Sequence, residues 1–332
     1  MRVALDIQTA IGGRNTGVGQ YTEAIRRVLP TAPKTGVVEI RRRGDAPIGG
    51  AIERVWWEWV QMPAYATESK ADILFSPGFS AQRVPVMPLA ITVHDLLAWE
   101  HPEELGRWNR WYWRHVVPWS WKKADLCICV SQETERRLNR VFPEIKKSVV
   151  VSHGVDPLFS REGEREEEDY LLMVGGWPRR KNLLAAVHAI STVPESPPLW
   201  VVGAVPPALR ESIEKFLGER IKFLGYVERE RMPSLYRGAH LVLAPSLGEG
   251  FGFVPLEGAA CGSAVLMSDI PTHREALPGV EPYGIPHSSE SLPRALRSAL
   301  RDTTPFLAPP DWVPRRWEDA GHETAIALES IL

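Results

Sequence analysis

Along this chain, short runs of consecutive apolar residues alternate with longer segments whose apolar residues recur every third or fourth position. The first texture predicts strands buried on both faces, the second predicts helices with one buried stripe, and their alternation predicts an α/β fold with parallel sheets. In the first half the strand candidates are RVALDI (2–7), DILFSP (72–77), LAITVHD (89–95), LCICVS (126–131) and SVVVSHG (148–154). Helical patterns lie between them over 18–29, 107–122 and 132–141. The rhythm breaks at the charged run REGEREEED (161–169), which reads as a solvated linker. It then restarts, with strands expected at 170–176, 199–204, 221–226, 240–245 and 263–269 and helices near 181–191, 207–218, 230–237, 254–261 and 289–301. In the last segment, 315–332, Trp317, Ala320, Thr324, Leu328 and Ile331 fall at helical spacing. Two doubly wound, Rossmann-like domains are therefore expected, over 1–160 and 170–314, with a closing amphipathic helix that packs back on the first. Ligands of such sheets bind at the carboxyl ends of strands, so the loops that follow strands are where chemistry is to be sought.

One helical pattern is unusual. GRWNRWYWRHVVPWSWKK contains five tryptophans among cations, with Trp108, Trp111, Tyr112, His115, Val116 and Trp119 on one face. It reads either as a helix buried on the first sheet and interrupted by Pro118, or as an interfacial patch suited to a lipid headgroup region. WWEW at 56–59 adds a second aromatic cluster to the same domain.

Composition narrows the picture further. A length of 332 residues suits two domains, and a net charge of −2 gives no reason to expect a nucleic-acid partner. Three cysteines, Cys127 and Cys129 in an apolar strand and Cys261, argue for a reducing compartment and against a disulfide framework or a metal site. The N-terminal MRVALDIQTA lacks a signal-peptide pattern, and no run approaches ~18 apolar residues, so a cytoplasmic protein is expected. Few Asn and Gln beside 29 Pro fit a thermophilic source.

The candidate chemistry centres on PSLGEGFGFVPLEG (245–258), which follows a predicted strand and runs into a helix that Pro255 helps to start. Its glycines permit close backbone approach, and the helix start offers free N–H groups to an anion, phosphate being the natural one. Glu249 and Glu257 flank that position. They read as acceptors for the hydroxyls of one extended ligand, with a glycosidase-type acid–base pair and a plain solvated loop as alternatives.

This segment, together with the LYRGAH stretch before it, resembles the signature of family-4 retaining glycosyltransferases of the GT-B fold, in which two Rossmann-like domains face each other across a cleft. The E-x7-E motif falls on Glu249 and Glu257. Other stretches resemble the family in order along the chain: Thr16-Gly-Val-Gly-Gln-Tyr21, Thr92-Val-His-Asp-Leu96 with His101-Pro-Glu103, Val130-Ser131, Gly154-Val-Asp156, and Val174-Gly-Gly-Trp-Pro-Arg-Arg-Lys-Asn-Leu183. The resemblance implies that Glu249 holds hydroxyls of the transferred sugar and Glu257 the nucleotide ribose. It implies that Arg180 and Lys181 neutralise the departing diphosphate, where fixed positive charge is most useful. Gly250, Phe251, Gly252, Phe253 and Gly175 would line the donor, Gly17 and Gly19 would approach its diphosphate from the first domain (with Gly12 and Gly13 as rivals), and His94 would contact the transferred sugar.

Many members carry an arginine where this chain has Gly176, which leaves open whether Arg180 takes over its contact. His153 stands where relatives often carry asparagine. No Asp-x-Asp motif follows a strand, and the resemblance likewise implies an enzyme with no cofactor and no metal that works by front-face attack without a protein nucleophile. The VHDL, HPE and PRKN forms lean towards mannosyltransferases. The donor is then GDP-mannose first and a UDP-hexose second, and the acceptor a glycan or lipid-linked glycan, with peripheral contact at the inner face of the membrane. A sugar-nucleotide epimerase of related fold and a non-catalytic nucleotide-sugar-binding protein are the alternatives.

Overall fold

Five strands form the sheet of one compact unit, Val155–Pro314, and six form that of the other, Met1–Gly154 with Arg315–Leu332. The structure is a computed structural model and describes residues 1–11, 17–42, 48, 50–81, 87–100 and 105–332. Every strand pair is parallel, the arrangement that continuous apolar runs favour because helices cover both faces.

The first unit contains β1 (Arg2–Asp6), α1 (Gly17–Val28), β2 (Gly36–Ile40), α2 (Ala51–Trp56), α3 (Met62–Glu68), β3 (Ile73–Ser76), β4 (Leu89–Val93), α4 (Leu97–Glu100), α5 (Arg107–Lys123), β5 (Leu126–Cys129), α6 (Gln132–Val141) and β6 (Ser148–Val150). A π-helical turn, Trp57–Gln61, joins α2 to α3. Strand order is β2-β1-β3-β4-β5-β6, so the topology switches direction between β1 and β3. α6 starts where Ser131 Oγ accepts the Thr134 N–H at 3.1 Å, with Glu133 and Glu135 in the first turn beside the positive helix end.

The second unit continues with β7 (Leu171–Val174), α7 (Leu183–Thr192), β8 (Leu199–Val202), α8 (Pro207–Leu217), β9 (Ile221–Gly225), α9 (Met232–Gly238), β10 (Leu241–Ala244), α10 (Phe253–Ala260), β11 (Val265–Met267), α11 (Pro271–Ala276) and α12 (Ser291–Ala299). Its order, β11-β10-β7-β8-β9, is that of a Rossmann half-sheet with the switch between β7 and β10. Leu171, Met173, Leu199, Val201, Leu241, Leu243 and Leu266 from the sheet pack with Ala186, Ile190, Leu292 and Leu296 from the helices.

The last helix, α13 (Trp317–Glu329), belongs to the first unit. Gly321 lets it approach α1 so closely that a Cβ there would lie 2.6 Å from Val28 Cγ2. The units divide between Gly154 and Val155, earlier than the boundary expected at 160. The charged run 161–169 lies within the second unit, where the Glu166 carboxylate meets Arg231 at 2.8 Å and the Glu164 carbonyl accepts from Arg237. Charge alone suggested a linker because its partners are some 65 residues away in sequence.

Pro118 does not interrupt α5, which runs unbroken through it with the ring buried. The stripe on this helix also divides. Tyr112 and Val116 are buried, whereas Trp108 and Trp111 are 71% and 47% exposed. β2, the helices over 51–68 and α11 lack a clean period and were not foreseen.

Candidate active site

The second unit's switch point brings together two loops, the one after β7 and the one after β10. After β7 the chain turns at Gly175 in a left-handed conformation (φ +88°) and then makes a single 3-10 turn at Arg179–Lys181. Asn182 follows, also left-handed at φ +61°, and α7 begins. The Asn182 amide donates to the Pro245 and Pro286 carbonyls, and the Leu247 N–H donates to the Arg180 carbonyl at 2.7 Å, which ties the loops together.

Glu249 sits at the centre. Its Oε2 accepts from Arg180 Nη1 at 2.6 Å, and its Oε1 accepts from Lys181 Nζ at 2.7 Å and Ser246 Oγ at 2.6 Å. Burial alone would raise this carboxyl, but Lys181 and Arg180 outweigh it and hold Glu249 far below the usual carboxylate range. Three of the predicted residues are thus one cluster, with two cations on a single carboxylate.

Glu257 lies on α10 and has a different environment. It accepts from Tyr236 OH at 2.9 Å, and burial pushes it up to about 7, against the opposing pull of Tyr236, Arg229 and Lys181. Arg229 is itself paired with Asp156 at 3.1 Å. Among the described residues Glu249 and Glu257 share no hydrogen-bond partner, though both feel Lys181.

Gly252 precedes α10 with φ +115°, a conformation other residues rarely adopt, and a Cβ there would meet His273 Cδ2 at 3.3 Å. Gly250 opens that turn; Phe251 is buried with its ring edge-on to Phe253 at 5.6 Å. His273 lines the same crevice, as do Lys181, Ser246, Glu249, Gly252 and Pro255. Its Nδ1 bonds the Ser268 carbonyl at 3.0 Å, so that nitrogen carries the proton, and burial lowers its pKa to about 4.

A Cβ at Gly176 would lie 2.6 Å from Val205 Cγ2 and 2.9 Å from Val201 Cγ1, so this packing leaves no room for any side chain. The cations of this loop that reach Glu249 are Arg180 and Lys181.

The remaining predicted residues belong to the first unit. Gly17 and Gly19 lie in the opening turn of α1 rather than in a loop before it. His94 follows β4; its Nε2 donates to the Pro77 carbonyl at 2.7 Å and burial lowers its pKa to about 4, so the ring is neutral. Tyr21 and Phe79 pack edge-on against it at 4.9 and 5.1 Å. His153 stacks at an angle with Tyr21 and Trp317. Gly12, Gly13, Thr16 and His101–Glu103 lie outside the described residues. Sequence reasoning assigned no role to Tyr236, Ser246, Asp156, Arg229 or His273. Tyr236, Ser246 and Asp156 lie inside stretches that resemble the family; Arg229 and His273 carried no such signal and are brought in by packing.

Comparison with solved proteins follows the same architecture. The chain superposes on WaaG, a glycosyltransferase involved in lipopolysaccharide biosynthesis, with a TM-score of 0.67 at 19% identity, over 98% of this chain and 95% of that one. It superposes equally on a sucrose-phosphate synthase from Thermosynechococcus elongatus, at 0.67 and 20% identity over 100% and 96% of the chains. At such identities the likeness is one of fold, and it defines two Rossmann-like domains of the GT-B class. The "Glycosyltransferase Family 4" profile matches residues 20–158 and the "Glycosyl transferases group 1" profile residues 168–302. In sequence the chain is 26% identical to the O-antigen chain mannosyltransferase RfbU of Salmonella typhimurium over 213 residues, 63% of this chain and 60% of RfbU. It is 29% identical to the serotype-specific mannosyltransferase WbdA of Escherichia coli over 254 residues, 69% of this chain and 31% of WbdA. The chain therefore spans less than two thirds of either relative. It belongs to the family-4 glycosyltransferases and is mannosyltransferase-like among them.

Proposed function

We propose that this protein transfers a hexose, with retention and without a metal ion, from a nucleotide-diphosphate sugar to a glycan or lipid-linked acceptor. GDP-mannose is the first donor to test and a UDP-hexose the second. The observation that carries this reading is the Arg180–Glu249–Lys181 cluster at the switch point between β7 and β10. One guanidinium and one ammonium on a single carboxylate leave a surplus of positive charge where a diphosphate would depart. As the diphosphate engages the cations, Glu249 is released to accept hydroxyls of the transferred sugar. Glu257, separately placed beside Tyr236, serves the ribose. Gly175, Gly250, Phe251, Gly252 and Phe253 line the donor, and Gly17, Gly19 and His94 act from the first unit. The acceptor oxygen attacks the anomeric carbon as its bond to the diphosphate breaks, and the leaving phosphate takes the acceptor proton.

The decisive experiment is a binding and transfer assay with GDP, UDP, ADP and dTDP sugars. The reading requires one nucleotide to bind through the second unit, and its release from the sugar donor to depend on an acceptor glycan. Release or isomerisation without acceptor would instead indicate an epimerase.

For a lipid-linked acceptor we propose a peripheral membrane contact from the cytoplasmic side. Ile52 and Trp108 flank one surface pocket and are 76% and 71% exposed; Trp56 is also exposed, as are Arg107, Arg110 and Arg114 on α5. Aromatic and apolar side chains beside arginines suit an anionic headgroup layer. Among the described residues no helix is long and apolar enough to cross a membrane. Co-sedimentation with phosphatidylglycerol vesicles, lost in Trp108→Ala/Trp111→Ala, tests the contact.

A further inference from the structure

Behind Glu257 stands a buried tyrosine. Tyr236 lies on α9, which packs against α10, and is 0% exposed, whereas Glu257 keeps part of its surface open. The Tyr236 hydroxyl donates to Glu257 Oε2 at 2.9 Å. Ring and backbone are both held: Phe159 meets the ring edge-on at 5.8 Å, and Ser263 Oγ donates to the Tyr236 carbonyl at 2.5 Å. Burial, together with the Glu257 charge, keeps the phenol proton in place far above its usual range, so Tyr236 is the donor of this pair.

Charged and titratable groups face Glu257 from each neighbouring element. Arg229, in the turn before α9, favours its ionised form but is paired with Asp156 at 3.1 Å, and Asp156 itself opposes ionisation. Lys181, in the turn before α7, also favours the ionised form and is held by Glu249 at 2.7 Å. Cys261, at the end of α10, stays a neutral thiol because burial pushes it up to about 12. Both cations are thus engaged by other carboxylates, and among the described residues Tyr236 is the direct donor to Glu257. Even with that donor, burial raises Glu257 to about 7 and leaves it poised between its two forms near neutrality.

We propose that Tyr236 is a positioning residue for donor binding: it occupies Oε2 from behind, so that Oε1 takes a ribose hydroxyl, and the carboxyl releases its proton to solvent as the donor enters. The inference rests on the assignment of Glu257 to the ribose. The side is set by burial, because a ligand cannot reach Glu257 through a tyrosine that is 0% exposed. The protonation state is set by the hydrogen bonds. An ionised carboxylate accepts from both Tyr236 and a ribose hydroxyl, and each bond favours the charged form. A protonated carboxyl, with Oε2 already taken, would carry its O–H on Oε1 and leave the ribose O–H without an acceptor there.

The test is calorimetric titration of the full chain with GDP-mannose and UDP-glucose, and with their 2′-deoxyribose and 3′-deoxyribose analogues, between about pH 5.5 and 8.5. A nucleotide sugar keeps its diphosphate fully ionised over this range, so a pH dependence belongs to the protein. In the wild type the donor Kd should fall as pH rises to about 7 and then level off. Tyr236→Phe keeps the ring and removes the donor, which makes Glu257 harder to ionise. It should raise Kd about tenfold near pH 6 and less than about threefold near pH 8.5, the effect of one hydrogen bond to a charged group. The analogue lacking the contacted hydroxyl should bind both proteins alike. A second measurement needs no tyrosine variant: titrations near pH 6 in buffers of different ionisation heat should show about one proton released per donor in the wild type and none in Glu257→Gln. The inference is overturned if Tyr236→Phe raises Kd equally at every pH, as lost packing alone would, or leaves it unchanged. It is equally overturned if binding strengthens as pH falls or if the wild type releases no proton. If neither nucleotide sugar binds at any pH, the donor assignment itself fails and takes this inference with it.

Discussion

Replacing Glu249 by glutamine keeps the shape of the central side chain and removes its charge. In the wild type that carboxylate lies 2.6–2.7 Å from Arg180, Lys181 and Ser246 and is 10% exposed, while the Arg180 and Lys181 side chains are 29% and 18% exposed. Removing one partner of a buried ion pair costs about 3–5 kcal/mol. Here partial exposure lets water solvate the freed cations, which brings the expected cost to about 2–3 kcal/mol. For a unit of this size that is a fall in melting temperature of roughly 4–12 °C. A nucleoside diphosphate should then recover more stability in Glu249→Gln than in the wild type, because the phosphates meet cations no longer held by a carboxylate and ligand binding adds to stability in proportion to ln(1 + [L]/Kd). Differential scanning fluorimetry with and without GDP and UDP reads both effects, and a transfer assay should show slower turnover despite equal or tighter nucleotide binding. An unchanged melting temperature together with a smaller nucleotide-induced shift would refute the claim that Glu249 is the counter-ion of the diphosphate-binding pair.

Three further outcomes are expected. Glu257→Ala should weaken nucleoside diphosphate binding by about 1.5–3 kcal/mol, the worth of hydrogen bonds to a charged group, with little effect on apo stability, as measured by calorimetric titration. Gly176→Ala should destabilise by about 1–3 kcal/mol through its clash with Val205 and Val201, and Gly176→Ala/Val205→Ala should recover part of that loss in chemical denaturation. Glu58, with its folded pKa raised to about 7, keeps its proton in the native state while the unfolded chain has lost it. Wild-type stability should therefore fall as pH rises from about 4.5 to 7, by on the order of 3 kcal/mol from this group, and Glu58→Gln should flatten that part of the pH profile.

The hydrophobic pattern was enough to predict ten of the strands, because parallel strands covered by helices on both faces must be apolar throughout. β2 escaped notice: Gly36–Ile40 is largely part-exposed and carries Glu39, so its apolar run is short. The E-x7-E spacing singled out Glu249 and Glu257, and a glycine turn and a helix start give the two carboxylates different surroundings. The partners of each were another matter. Arg180 and Lys181 reach Glu249 from nearly 70 positions away, and Tyr236 reaches Glu257 across the gap between α9 and α10. Such pairings follow from strand order, which places β7 beside β10, and local sequence carries no record of that order.

The same distinction holds for Glu58 of the first unit. WWEW advertised aromatic content, but nothing in its local pattern marks Glu58 as buried; the end of β1, the segment after β3 and α5 close around it with Asp6, Ser80 and Tyr112. By itself the sequence determined the α/β class, the repeated strand–helix rhythm and the acidic loop, all of which are local or periodic properties. Only the tertiary structure decided the two switch points, the packing of Val201 and Val205 against Gly176 and which buried charges face one another. These depend on contacts between segments distant in the chain, where packing and desolvation, rather than propensity, set the outcome.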